Sequence, residues 1–183
     1  MSELHISPET AHALLQLARS TVTSAVCGAP FPEPPSFSQA MQQAGAFVTI
    51  HRRGKLRGCI GNFEPAPLGR IVQEMALAAA FEDPRFPPVS EPELGELDFE
   101  ISVLSPRFPI APEDVQIGVH GLFIRRGYHR GVLLPQVPVE WGWDRETFLQ
   151  EVCHKAGLPS DAWKLPDTFL EAFTSQILRE SKP

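Results

Sequence analysis

The run from Leu97 to Leu104 places the strongest constraint on the fold. Leu97, Phe99, Ile101 and Val103 alternate with Asp98, Glu100 and Ser102. Successive strand side chains point to opposite faces, so this segment has one apolar face and one wet face. Antiparallel sheets commonly have one face packed on the core and one face solvated. Residues 45–52 are rich in β-branched and aromatic residues, Arg53-Gly54 supplies a turn, and Lys55 opens a second arm. Residues 121–124 and 131–134 predict two further strands, joined around Arg126, Gly127 and Tyr128.

Helical periodicity supplies the covering layer. Ser7 is an N-cap with Pro8 at the first helical position, and Leu14, Leu15, Ala18 and Val22 follow at helical spacing over residues 8–25. Residues 67–81 carry Leu68, Ile71, Val72, Met75, Ala76 and Ala79 in the same period. Asp144 caps a third helix, with Phe148, Leu149, Val152 and Cys153 as its stripe and Gly157 as its stop. Residues 166–178 fit either a helix or one long strand. The elements interleave without a regular strand–helix–strand rhythm, which predicts α+β with a mostly antiparallel sheet and flanking helices.

The chain has 183 residues, enough for one sizeable domain or two small lobes sharing a core, with no disulfide or metal needed for stability. Nineteen prolines, scattered in pairs and short clusters, predict stiff, ordered loops. The net charge is −6 with no long basic run, which argues against nucleic-acid binding. Arg52, Arg53, Lys55 and Arg57 form one local cluster, read as strand-end charges or as a local anion site. No secretory pattern and no apolar run of membrane-spanning length is expected, so the chain is placed in the cytoplasm with reduced thiols. Phosphate-loop, dinucleotide and zinc-protease motifs are missing, and no cofactor or metal is expected.

Three places carry candidate chemistry. Cys59 lies in Leu56-Arg57-Gly58-Cys59-Ile60-Gly61, read as a glycine-flanked turn. Arg57 beside it would lower the thiol's pKa and favour a reactive thiolate. The alternative is a small buried hydrophobe beneath a tight turn. Among six histidines, His120, at a strand start, has the best context for a base that would serve a nucleophilic cysteine. Residues 133–143 offer Gln136, Glu140, Trp141 and Trp143. Gln136 and Glu140 would orient a substrate or a base, or the tryptophans are core and Glu140 is a surface acid. Cys59, Cys153 and His154 have no zinc spacing.

The hexapeptide around Cys59 resembles the signature of the AMMECR-type domain family, whose bacterial and archaeal members are called AmmeMemoRadiSam system protein A. The resemblance continues through Ala78-Ala79-Ala80-Phe81, Asp83-Pro84-Arg85-Phe86-Pro87-Pro88, Glu100-Ile101-Ser102-Val103-Leu104-Ser105, His120-Gly121-Leu122, Leu133-Leu134-Pro135-Gln136-Val137 and Cys153-His154-Lys155-Ala156-Gly157-Leu158. His154 stands at a position that varies in the last pattern. The resemblance covers nearly the whole chain and implies a single domain over residues 1–183. It implies a larger lobe from both chain ends, a smaller lobe from the middle, a cleft between them near the cysteine motif, and a strand for residues 166–178. It also implies a Memo-type protein and a radical S-adenosylmethionine protein as partners. It brings Arg57, Cys59, His120, Gln136 and Glu140 over as motif positions and brings no reaction with them.

Two functions follow as expectations. One is an enzyme or enzyme component acting on a small molecule, with Cys59 as nucleophile or thiol acid/base, His120 as its partner and Arg57 as an anion or thiolate stabiliser. The other is a binding or scaffold domain that docks a protein partner. Nucleic-acid binding through residues 52–57 is a third, weaker reading.

Overall fold

The computed structural model describes residues 5–180. The opening residues 1–4, read for a secretory pattern above, lie outside the described residues. The fold is α+β with two four-stranded antiparallel sheets. The chain divides into two compact units: one runs to Leu104 and resumes at Gln176, and the other is Ser105–Ser175.

The first unit opens with α1 (Pro8–Cys27), where Ser7 accepts from the Thr10 N–H as the N-cap and Gly28 closes the helix at φ 66°. Strands β1 (Gln43–Arg52) and β2 (Lys55–Pro67) form a hairpin, then come α2 (Leu68–Phe81) and β3 (Leu97–Leu104). Arg53 and Gly54 both take positive φ, 52° and 76°, the two-residue turn that matches the twist of paired strands. The sheet order is β2-β1-β3-β8, where β8 (Ser175–Arg179) returns from the far end of the chain. Helices α1 and α2 cover one face, and Leu14, Val22, Val48, Ile50, Ile71, Val72, Phe99 and Ile101 are buried in the core between them.

The second unit has strands β4 (Phe108–Pro109), β5 (Gly121–Arg126), β6 (His129–Leu133) and β7 (Phe169–Phe173), ordered β4-β7-β5-β6. Helix α4 (Arg145–Lys155) packs on β5 and β6, burying Phe148, Leu149, Val152 and Cys153 against Leu122 and Ile124. The Asp144 cap forms as expected, its Oδ1 accepting from the Thr147 N–H at 2.8 Å.

Three details differ from the sequence expectations. The Cys59 motif lies within β2, the second arm of the hairpin as expected, and forms no turn of its own. The ambiguous stretch is two strands, β7 and β8, in different sheets, with Thr174 between them bonded to Ser105 through both backbone and hydroxyl. A short helix, α3 (Gln136–Trp141), forms where only a connection was expected. Pro138 falls in its first turn, where a missing N–H costs nothing, and Gly142 stops it in the left-handed region.

Candidate functional site

A one-residue irregularity in the hairpin decides where Cys59 points. Near the turn the register pairs Arg52 with Lys55 and His51 with Leu56; beyond it, Ile50 pairs with Gly58 and Thr49 with Cys59. Arg57 is the extra residue, a β-bulge. Without it, Cys59 would lie opposite Val48, which is fully buried in the core. With it, Cys59 lies opposite Thr49 on the face away from α1 and α2.

The bulge turns Arg57 inward. Its Nε and Nη2 donate to the two carboxylate oxygens of Glu93 at 2.8 and 3.1 Å, and Nη2 also donates to the Pro88 carbonyl. Glu93 accepts further from the Ser90 N–H and hydroxyl and from Arg52. The Arg57 guanidinium and the Ser90 donors hold the Glu93 carboxyl down to about 2. Both side chains are about nine-tenths buried, so Arg57 is a structural ion-pair partner. The expectation that it acidifies the Cys59 thiol does not hold.

The flanking glycines are required for close approach. A Cβ on Gly58 would overlap the carbonyl oxygen of Ala79 in α2, and one on Gly61 would overlap the Phe47 ring. Glycine here lets the last turns of α2 sit directly on β2.

The face that carries the thiol is built in rows across three strands. One row is Gly61, Phe47 and Ser102; the next is Cys59, Thr49 and Glu100; the third places His51 beside Asp98. The Thr49 hydroxyl donates to Cys59 Sγ at 3.1 Å. Arg179 of β8 donates to Glu100 at 2.7 Å. A cavity of about 260 Å³ lies toward the hairpin turn and β8, lined among others by His51, Asp98, Glu100 and Arg179; of the Cys59, Thr49 and Glu100 row it takes in Glu100 and neither Cys59 nor Thr49. Cys59 is half-buried, and burial pushes its thiol above the ordinary range. The Thr49 hydrogen bond and the Arg85 charge oppose that rise, while Asp83 and Glu100 add to it. Thr49, Glu100, Asp83 and Arg85 were not singled out from the sequence. The alternation of β1 and β3 carries the signal for the first two, and the 83–88 motif carries it for the others.

In the second unit, His120 follows a tight turn and precedes β5. Its Nδ1 accepts from the Gln116 N–H at 3.1 Å, and its ring meets Phe108 edge-on at 5.8 Å. Burial pushes it below the ordinary histidine range. With Nδ1 accepting, the neutral ring carries its proton on Nε2 and presents a donor there. Gln136 and Glu140 lie one turn apart on α3; Gln136 Oε1 is buried with no partner among the described residues, and Glu140 is exposed. The turn before His120 packs on this helix, at Gly118 and Val139. Trp141 is 71% exposed and stacks on Trp143 at 6.2 Å, so Trp141 is not core. Among the described residues, no group of three or more His, Cys, Asp or Glu side chains is placed to hold a metal ion. No helix there is long and apolar enough to cross a membrane.

The sequence matches the AMMECR1 family over residues 15–178. A protein of Thermococcus gammatolerans is 43% identical, with 97% of this chain and 94% of that protein aligned. One from Thermococcus kodakarensis is 42% identical over the same shares. The crystal structure of a protein from Pyrococcus horikoshii superposes with a TM-score of 0.86 at 40% identity, covering 97% of this chain and 95% of that one. The match spans both units and every element from α1 to β8, and the chain belongs to the AMMECR1 family.

Proposed function

We propose that this protein is an enzyme component that holds a small polar molecule on the sheet face around Cys59, with the thiol protonated and donating to that molecule. The supporting observation is the row Cys59, Thr49, Glu100. The bulge at Arg57 takes the thiol out of the core, and the Thr49 hydroxyl occupies a sulfur lone pair. The cavity that meets this row at Glu100 suits a ligand of a few heavy atoms, and its walls offer both donors and acceptors. Burial favours the neutral thiol, which suits a proton donor better than a nucleophile. His120 does not suit the role of base to a cysteine, because its acceptor nitrogen is already bonded to the backbone.

The test is an amide NMR titration of the intact chain with a library of neutral and charged polar fragments. Perturbations are expected to cluster at His51, Thr49, Cys59 and Glu100 and to weaken with Thr49→Val. Perturbations confined to other faces would overturn it.

A second reading is supported by α3. Val139 is 58% exposed, and Trp141 projects beside Glu140. Aromatic residues exposed in this way are enriched at protein interfaces. On this reading the helix docks a protein, with the Memo-type and radical S-adenosylmethionine proteins as the partners to try. Trp141→Ala would then abolish co-purification and leave fragment binding at Cys59 unchanged.

A further inference from the structure

Strand β2 is at the edge of its sheet, so its outward backbone groups have no strand to pair with. At Cys59 those groups are nonetheless occupied. The Cys59 N–H donates to Asp83 Oδ2 at 2.9 Å, and Arg85 Nη2 donates to the Cys59 carbonyl at 3.4 Å. Asp83 and Arg85 are themselves locked together: Arg85 Nε and Nη2 bond the two Asp83 oxygens at 2.9 and 2.7 Å, and the Arg85 N–H bonds Oδ1 at 3.1 Å. One acceptor and one donor, held at fixed spacing, meet one residue's N–H and C=O as a neighbouring strand would.

We propose that Asp83 and Arg85 act as a side-chain substitute for a missing strand, positioning Cys59 on the edge of β2 and setting the charge its thiol meets. The inference rests on Cys59 being the working group of this face.

Four observations support it. With its N–H and C=O turned outward, Cys59 forms a non-hydrogen-bonded pair with Thr49, the pairing in which opposed side chains come closest. That matches the 3.1 Å contact between hydroxyl and sulfur. The Asp83 side chain is 2% exposed, an unusual place for a carboxylate without a specific task. Pro84 stiffens the link between acceptor and donor. Gly58, next to the thiol, lets α2 approach β2 closely at Ala79, and Asp83 lies just past the end of that helix. The motifs at 56–61 and 83–88 therefore form one unit: glycine admits the helix, and the residues after the helix hold the cysteine.

The charges facing the thiol are Arg85 and Asp83 from the segment after α2 and Glu100, paired to Arg179, from β3. Asp83 and Arg85 act on the thiol with opposite signs. This separates positioning with charge control from a purely structural role.

The experiment is the pH profile of iodoacetamide labelling at Cys59, read by peptide mass spectrometry in the intact protein. Asp83→Asn keeps the acceptor and leaves Arg85 uncompensated, so the labelling midpoint moves down. Arg85→Gln removes the cation, so the midpoint moves up, and Arg85→Lys restores it toward wild type. Midpoints that move the same way in Asp83→Asn and Arg85→Gln, or do not move, would overturn the proposal. If Asp83→Asn does not fold, the exposed Arg85 pair decides alone: Gln and Lys variants with equal midpoints would overturn it. Labelling needs no ligand, so a failed fragment titration and a failed midpoint test are distinct results.

Discussion

Thr49 and Cys59 face each other across the hairpin, and the hydroxyl is the group that holds the sulfur in place. Thr49→Val keeps the shape and removes the donor. The lost hydrogen bond lowered the thiol's pKa, so the labelling midpoint of Cys59 rises and its alkylation at neutral pH slows. Arg57 behaves differently. Its removal leaves Glu93 buried with a weakened set of donors, and a broken buried pair typically costs about 3–5 kcal/mol. Arg57→Met is expected to lose roughly this much in urea unfolding, with the fold retained. A loss below about 0.5 kcal/mol would place Arg57 among ordinary surface charges.

The motif's glycines act at the level of the element. Gly58→Ala drives a methyl group into the Ala79 carbonyl, and neither backbone can yield without separating β2 from α2. The expected cost is at least about 2 kcal/mol, measured by denaturant unfolding. Gly61→Ala meets the Phe47 ring at its root, so relief needs the whole Phe47 side chain to move off β1 and this change destabilises as well. The hairpin shows what a sequence can and cannot give. Arg53-Gly54 and the β-branched and aromatic residues of β1 were legible, because turn chemistry and strand propensity are local. The bulge was not, because the carboxylate that turns Arg57 inward is 36 residues away. An unbulged register from the same turn puts Cys59 in the core, so one unseen residue separates a structural thiol from a thiol on the polar face. Helix α3 escaped notice because six residues with Pro138 inside show no helical period. The 166–178 stretch looked continuous because Phe169, Phe173 and Ile177 share a period, while the exchange of sheets at Thr174 depends on Ser105.

At the scale of the whole molecule, two carboxyls give stability a definite pH dependence. Asp83 and Glu93 both titrate below their ordinary range, through Arg85 and Arg57 respectively. A depressed carboxyl stabilises the fold above its unfolded pKa and loses that contribution as pH falls through its folded value. The contribution of these two carboxyls is therefore level above about pH 5. It falls progressively between about 4.5 and 2 as Glu93 takes up its proton. Glu93→Gln flattens that limb of the profile, as measured by urea midpoints across pH. The family resemblance was legible for a related reason: it rests on several short motifs whose order is fixed by the fold, and the match over residues 15–178 contains all of them.

On the proposed function, Cys59 is a protonated thiol on the polar sheet face, held by Thr49. Competitive iodoacetamide labelling of the native protein across pH compares it directly with Cys27, which is exposed at the end of α1. Cys59 is expected to label more slowly than Cys27 at neutral pH, with a midpoint above that of an ordinary thiol. Faster labelling of Cys59 with a midpoint below neutral would show an activated thiolate and contradict it.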